Sequence, residues 1–477
     1  MIDRRTLIAS FGALGAWPAA AQQRPAQPRP RAQATLDQAL TESGLPPDRL
    51  GLFVVDLAAN AVVASSLADR AIIPASTMKL PAMVAALHVL GAEWRPVTTV
   101  WRSGPPSASV LTLVGGGDPL LAGEHLADLV RLIAQAGFTQ AARFQFDSGT
   151  IPELSAIDQT QPLAATYNPA VSGLSSNFNR IHLRWRREDG AVRGDFTAVA
   201  TRQRVPMEGF SLVAGAAGQS EPFRWRATET GEQWSLGPRQ PDRGEIFLPI
   251  RRPSIATARL VRRLAADAGV TLPPPQPGRP PADAREVARV EGQALITIVP
   301  QVLRWSNNLA AELCGLAAAP GASDIAAAAA RHQQWIQQAA PGIDWSGFRL
   351  ATHSGLGSAS RATPRQLAAT ALLAQAEGWA ALLPPYRPRD GGAPVEGVFA
   401  KSGTMAFAKS QAGLLTMADG RVCAFGLVLT DPERRAAYDR ALDTFDRGMP
   451  SDARAWLERA QIAEAKIIEA LVAGRIG

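Results

Sequence analysis

The apolar positions near the start of the chain change from a strand-like to a helix-like spacing. Two short apolar runs, 50–57 and 61–67, are separated by a turn and predict a β-hairpin. Directly afterwards Met83, Leu87 and Leu90 recur at intervals of three and four residues. This spacing predicts that a buried helix follows the hairpin.

Further along the chain, helices are predicted where apolar residues repeat every three or four positions. These helices are 124–136, 254–268, 294–304, 306–316, 323–338, one starting at Thr363-Pro364, and 452–473. Residues 141–250 alternate aromatic and polar residues, which is typical of β-rich modules. The remaining predicted strands are 111–114, 401–404, 410–417 and 421–430. The chain is therefore expected to have a mixed α/β (α+β) fold.

The N-terminus has the pattern of an export signal. The paired arginines Arg4 and Arg5 precede an apolar run and the small residues 19–21. We therefore expect 1–21 to be a signal peptide of the twin-arginine or Sec type and the protein to be periplasmic. Residues 22–33, rich in Pro, Gln and Arg, are expected to be a disordered linker. No later apolar run reaches about 18 residues, so no integral membrane segment is expected after signal cleavage.

Charge and composition exclude several classes of partner. The net charge of +7 is spread as isolated arginines without an RNA- or DNA-binding motif, so we expect no nucleic acid partner. The five histidines include no pair at ligand spacing, so neither a metal nor a cofactor is predicted. Cys314 and Cys423 could form one disulfide, but two buried thiols are favoured by their apolar surroundings.

The helix after the first hairpin contains Ser76 and, three residues later, Lys79, so both side chains lie on one helix face. Only four lysines stand among the 49 basic residues. Unlike arginine, lysine can act as a base when it is desolvated. Lys79 could therefore activate the Ser76 hydroxyl as a nucleophile. The alternative interpretation of Ser76 is an ordinary helix N-cap.

Two more motifs follow in order along the chain. Ser306 and Asn308 open a predicted helix, and Lys401-Ser402-Gly403-Thr404 begins a predicted strand. Taken singly, Asn308 could be a helix-capping amide, and Lys401 could be a solvated lysine on a strand edge. The ordered triple of motifs is much more specific than any one of them.

This set resembles the penicillin-recognising serine enzymes. The long separation of the first two motifs is similar to the D-alanyl-D-alanine carboxypeptidase/endopeptidase family, the class C low-molecular-mass penicillin-binding proteins. The similarity extends over nearly all of residues 45–435. It includes Gly116-Gly117-Asp118-Pro119, Tyr167-Asn168-Pro169, Ser175 to Asn179, Ala311-Glu312 and Ser354-Gly355-Leu356. Departures are Ser402 in place of threonine and Thr352-His353 in place of Asp-Gly.

The resemblance implies a transpeptidase-like catalytic domain, an antiparallel sheet flanked by helices, made of residues 34–98 and 286–477. Residues 99–285 would be an inserted β-rich region, expected to form two subdomains. The proline-rich run 273–281 lies close to its predicted end.

Each motif residue has an expected role in such a site. Ser76 would be the nucleophile and Lys79 its base, while Ser306 relays a proton and Asn308 orients Lys79 and the substrate amide. Lys401, Ser402, Gly403 and Thr404 would form the substrate-binding strand, with the cation and hydroxyls on the terminal carboxylate. The N–H groups of Ser76 and Thr404 would form an oxyanion hole.

The family implies a serine-type DD-peptidase whose partners are peptidoglycan stem peptides and covalent β-lactam inhibitors. It would cleave D-Ala-D-Ala termini or D-Ala cross-links through an acyl-enzyme on Ser76. Two alternatives stay open on the sequence alone. One is a β-lactamase or esterase on the same core, and the other is a non-catalytic peptidoglycan-binding protein. The sequence contains neither a Glu-x-x-Leu-Asn motif nor a Gly-x-Ser-x-Gly elbow.

Overall fold

The computed structural model describes residues 30–105, 108–189, 191–388, 391–441 and 449–476. The predicted signal peptide, 1–21, and most of the predicted linker lie outside the described residues. Helix α1 already begins at Pro30, so the expectation of disorder is wrong for residues 30–33. The reason is a buried stripe that includes Ala32 and Leu36 and packs this helix into the core.

The first and the ninth helix were not predicted, whereas the others form where the apolar spacing predicts them, with ends shifted by one to three residues. The described residues contain ten helices in all. They are α1 (Pro30–Glu42), α2 (Lys79–Leu90), α3 (Gly123–Gln135), α4 (Pro253–Asp267), α5 (Leu295–Trp305), α6 (Asn308–Ala317), α7 (Ile325–Ala339), α8 (Pro364–Ala376), α9 (Pro432–Ala441) and α10 (Ser451–Val472). Helix α8 begins with Pro364 at its first position and a capping box between Thr363 and Gln366.

The strands divide into those of a central sheet and those between residues 97 and 291. The central strands are β1 (Leu50–Asp56), β2 (Val62–Ser66), β15 (Val398–Met405), β16 (Ala408–Thr416) and β17 (Val422–Thr430). The others are β3 (Val97–Ser103), β4 (Val110–Val114), β5 (Arg143–Asp147), β6 (Arg180–Glu188), β7 (Ala191–Val199), β8 (Arg204–Pro206), β9 (Phe210–Ala214), β10 (Phe223–Thr228), β11 (Gly231–Leu236), β12 (Arg243–Pro249), β13 (Gln276–Pro277) and β14 (Arg285–Glu291).

The central sheet has the strand order β15-β16-β17-β1-β2, and every pair in it is antiparallel. Strand β1 is buried along its whole length because helices cover both faces. Phe53 and Val55 face the helices α2, α5, α6, α7 and α8, whereas Leu52 and Val54 face α1 and α10. The predicted α/β fold with an antiparallel sheet flanked by helices is confirmed.

The segment between the first two motifs forms three further sheets. Their strand orders are β13-β5-β4-β3-β14, β12-β6-β7-β8 and β10-β11-β9. Strand β3 crosses the predicted boundary at residues 98–99 and pairs with β14, which continues to Glu291. The division of the chain into domains stays a prediction.

Two further findings concern the thiols and the membrane. Cys314 and Cys423 are both free and buried, in agreement with the favoured interpretation of two thiols. Within the described ranges, none of the helices combines the length and apolar character that a membrane span requires.

Candidate active site

Ser76 lies in a turn of 3₁₀ helix, Ala75–Met78, that leads directly into α2. The alternative interpretation as an N-cap does not apply, because the capping positions are Pro74 and Met78. Ala75 has a left-handed φ of 50°, which is uncommon for a residue with a side chain and stores strain beside the serine.

Lys79 makes three short contacts through its Nζ and is completely buried. The atom lies 2.9 Å from Ser76 Oγ, 2.7 Å from Asn308 Oδ1 and 2.7 Å from the Ser354 carbonyl oxygen. The amide and carbonyl oxygens can only accept hydrogen bonds. A neutral amine would donate its two hydrogens to them, which leaves its lone pair directed at the Ser76 hydroxyl.

The surroundings of Lys79 favour this neutral form. Burial, followed by the positive charge of Lys401, lowers the pKa of Lys79 well below its ordinary value, while the charge of Glu312 opposes them. An amine that is neutral near physiological pH has the form that a general base requires.

Asn308 is the first residue of α6 and is held from two sides. Its Oδ1 accepts from Lys79, and its Nδ2 donates to the Tyr167 carbonyl at 2.9 Å. The helix is capped by Asn307, whose side chain accepts from the Ala310 N–H at 2.9 Å. The capping interpretation of Asn308 therefore does not apply.

Ser306 ends α5 with a left-handed φ of 53° and borders the same groove as Asn308.

Strand β15 meets the Ser76 turn through Gly403. A Cβ at this glycine would lie 2.5 Å from the Pro74 carbonyl oxygen and 3.1 Å from the Ser76 nitrogen. On the neighbouring strand, Ser410 Oγ donates to the same Pro74 oxygen at 2.7 Å. A side chain at position 403 would push the strand away from the serine, so only glycine allows this approach.

Strand β15 is the edge of the central sheet, and its outer side is open at residues 401–405 among the described residues. The Ala400 N–H bonds the Pro384 oxygen on this outer side. Alternate residues of a strand point their N–H groups to the same side, so those of Ser402 and Thr404 also face outwards. The side chains of Ser402 and Thr404 are exposed.

Lys401 is buried on the other face of β15, and its Nζ donates to the Ser402 carbonyl at 2.7 Å. Burial and the positive charge of Lys409 lower the pKa of Lys401 to about 7. Lys409 itself is not a surface residue, as a lysine outside the three motifs would be expected to be, because its side chain is only 12% exposed and lies 3.5 Å from the buried Glu464 carboxylate. Its position on a central strand facing α10 is the reason.

A groove of about 570 Å³ adjoins Ser306 and Asn308. Its walls include Tyr167, Phe178 and Trp305, which are 44%, 39% and 70% exposed.

In the part of the chain that the structure describes, no three His, Cys, Asp or Glu side chains converge as a metal site would require.

Sequence reasoning missed a buried pair behind Lys79. Glu312 accepts from the Ser354 N–H at 2.8 Å and from His353 Nδ1 at 2.8 Å. Glu312 belongs to the family resemblance through Ala311-Glu312, but it was given no role there. Its position one helical turn after Asn308 places both residues on one face of α6.

Comparison with known proteins decides the family. A model of the D-Ala-D-Ala carboxypeptidase 3 (S13) family matches residues 32–448. The chain belongs to this family. The D-Ala-D-Ala carboxypeptidase/endopeptidase resemblance is thereby confirmed, and with it the expectation of a serine-type DD-peptidase acting on peptidoglycan.

Two similar proteins match most of the chain. The carboxypeptidase Rv3627c of Mycobacterium tuberculosis is 26% identical over 412 residues, which span 78% of this chain and 74% of the relative. Penicillin binding protein 4 of Haemophilus influenzae shares the fold, with a TM-score of 0.69, 17% identity, and coverage of 91% of this chain and 99% of that one. The same protein complexed with a β-lactam gives a TM-score of 0.67 at 16% identity.

Proposed function

We propose that this S13 enzyme cleaves D-Ala-D-Ala bonds through an acyl-enzyme on Ser76, with Lys79 as its general base. The observation that supports these roles is the geometry of Lys79 Nζ, 2.9 Å from Ser76 Oγ and held by two acceptors. Reacting groups held at hydrogen-bond distance avoid most of the entropic cost of bringing them together.

In the proposed first step, Ser76 Oγ attacks the carbonyl carbon of the penultimate D-alanine and its proton passes to Lys79. The N–H groups of Ser76 and Thr404 stabilise the oxyanion of the tetrahedral intermediate. The C–N bond then breaks, and Ser306 gives its proton to the departing amine while it takes up the proton held by Lys79, which returns Lys79 to its neutral form. Water hydrolyses the ester, which returns Ser76 to its free form.

The proposed substrate is a peptidoglycan stem peptide extended beside the outer side of β15. Its terminal carboxylate would bind the exposed hydroxyls of Ser402 and Thr404, and the cation of Lys401, buried on the other face of the strand, would attract its charge. The residues before the cleaved bond would pass Asn308 towards the groove of Tyr167, Phe178 and Trp305. These exposed rings offer apolar area at the end of the same cleft.

We also propose that β-lactams acylate Ser76, since penicillin binding protein 4 of H. influenzae forms a complex with such a compound. A periplasmic location after twin-arginine or Sec export is proposed from the pattern of residues 4–21.

Incubation with a fluorescent penicillin tests this function. We expect covalent labelling of the protein, no labelling of Ser76→Ala, and unchanged labelling of Ser211→Ala, which makes the same change on an exposed strand of the insert. Rapid release of the label would instead favour a β-lactamase. Binding to sacculi without labelling would favour a non-catalytic protein, and either outcome contradicts the proposal.

A further inference from the structure

Two ionisable side chains without any solvent exposure lie behind the catalytic lysine. Glu312, on α6, and His353, in the loop before α8, have side-chain exposures of 0%. Their atoms Oε2 and Nδ1 are 2.8 Å apart. Burying a carboxylate in this way is costly unless hydrogen bonds satisfy both of its oxygens.

The hydrogen bonds of Glu312 converge on the loop that contacts Lys79. Oε1 accepts from the Ser354 N–H at 2.8 Å, and Oε2 accepts from the His353 N–H at 3.2 Å as well as from the ring. The next carbonyl, that of Ser354, is the one that accepts from Lys79 Nζ at 2.7 Å. The carboxylate therefore fixes the peptide unit adjacent to the acceptor of the lysine.

Helix α6 consequently holds Lys79 in two ways. Asn308 contacts it directly, and Glu312, four residues later on the same helix face, contacts it through the loop. The loop has little freedom to relax, because Gly355 has a φ of +70° and a Cβ there would lie 1.9 Å from the Ala75 carbonyl oxygen.

The His353 ring fills a space shaped for it. A Cβ at Gly315 of α6 would lie 2.3 Å from ring atoms of His353. His332, from α7, packs against it in an edge-to-face arrangement with the ring centroids 4.8 Å apart. None of the hydrogen bonds in the described ranges joins His332 to Glu312, so His353 alone of the two rings holds the carboxylate.

We propose that Glu312 and His353 are positioning residues for the general base, holding the Ser354 carbonyl so that the Lys79 amine points its lone pair at Ser76. This inference rests on the proposed function. With the carbonyl displaced, the amine has one fixed acceptor instead of two and can rotate about its terminal bond. Acylation then slows although every group that touches the substrate is in place.

The pair also contributes charge. The groups that face Lys79 and the pair are Lys401 from β15, Glu312 from α6, His353 from the loop and His332 from α7. Of these, the Glu312 carboxylate raises the pKa of Lys79, against burial and Lys401. Neutralising Glu312 should therefore move the acid limb of the acylation rate to lower pH, which a merely structural role would not do.

The test measures the rate and the final extent of fluorescent-penicillin labelling, across pH, for the full-length protein and four variants. His353→Phe removes the donor, His353→Asn keeps a donor at the position of Nδ1, and Glu312→Gln removes the charge. His332→Phe is the matched control, a buried histidine at the same packing contact without a bond to Glu312.

We expect His353→Phe to reach full labelling about 10- to 100-fold more slowly, with unchanged non-covalent affinity for the penicillin. His353→Asn should recover part of the labelling rate. Glu312→Gln should be labelled more slowly than the wild type, and the acid limb of its rate should lie at lower pH. His332→Phe should match the wild type. Equal labelling rates for all variants, or a reduced extent of labelling at an unchanged rate, would overturn the positioning role but leave the proposed function standing. An unlabelled wild type would overturn the proposed function itself.

Discussion

Lys79 and Lys401 are both buried, and the charge of Lys401 lowers the pKa of Lys79. Their proposed tasks require opposite protonation states. Lys79 must be neutral to accept the proton of Ser76, whereas Lys401 must be charged to bind a carboxylate. Because burial and Lys409 lower the pKa of Lys401 to about 7, the two states coexist only in a limited pH range.

We therefore predict a bell-shaped dependence of kcat/KM on pH for a D-Ala-D-Ala peptide. Below the lowered pKa of Lys79 the base is protonated and the rate falls. Above pH about 7 Lys401 loses its charge, and binding of the carboxylate weakens. In Lys401→Arg the cation persists, because the pKa of arginine is above about 12, and the alkaline limb should disappear.

The control for this pH profile is Lys466→Arg, the same change at a lysine paired with Glu42 far from the cleft. It should keep both limbs. An alkaline limb that stays in a folded Lys401→Arg enzyme would show that another group controls binding.

At the scale of elements, α6 has a glycine where it contacts the His353 ring, although glycine lowers the propensity of the segment to form a helix. Gly315 lies inside this helix, where alanine is usually about 1 kcal/mol more favourable. We predict that Gly315→Ala nevertheless slows penicillin labelling, because the added methyl group would displace His353. Gly218→Ala, with open space around its Cβ, should leave the rate unchanged. Wild-type kinetics in Gly315→Ala would contradict this explanation.

The elements themselves could largely be predicted from the sequence. The first hairpin, the helix after it and the last hairpin all form where periodicity places them, because their patterns are local. Helix α1 was not predicted, because the Pro-, Gln- and Arg-rich composition of the preceding segment continues into its first turn and its apolar stripe consists of only a few residues.

The site could be predicted only in part, for a physical reason. Ser76 and Lys79 share one turn, so their contact follows from spacing alone. Asn308 lies 229 positions from Lys79 and was recognised only through the order of the motifs. The Tyr167 carbonyl is a backbone group, so its contact with Asn308 cannot be inferred from the residue type. Glu312 pairs with a loop 41 positions away, and no local pattern predicts that contact.

At the scale of the whole molecule, the segment between the first two motifs reaches into the site. Asn168 is completely buried and bonds the N–H groups of Ile157 and Asp158 through its side chain, next to the Tyr167 carbonyl that holds Asn308. This arrangement links the fold of this segment to the orientation of a proposed catalytic amide.

We predict that Asn168→Ala lowers both thermal stability and the labelling rate. Loss of the buried amide leaves N–H groups unsatisfied at a cost of about 1–3 kcal/mol, and the Tyr167 carbonyl loses its support. Thermal unfolding and penicillin labelling measure the two effects. Gln159→Ala, which removes an exposed amide of the same loop, should change neither. A stability loss without any kinetic effect would show that this segment does not orient Asn308.

The short opening along β15 also bears on self-association. Exposed sheet edges invite pairing with a second copy of the same chain, which leads to aggregation. Here Pro384 and Tyr386 bond to the first residues of the strand, so among the residues that the structure describes the uncovered part of the strand is 401–405. A stretch this short offers an incoming strand few hydrogen bonds, so pairing with a second copy of the chain gains little. The same edge is long enough for a short extended peptide to bind.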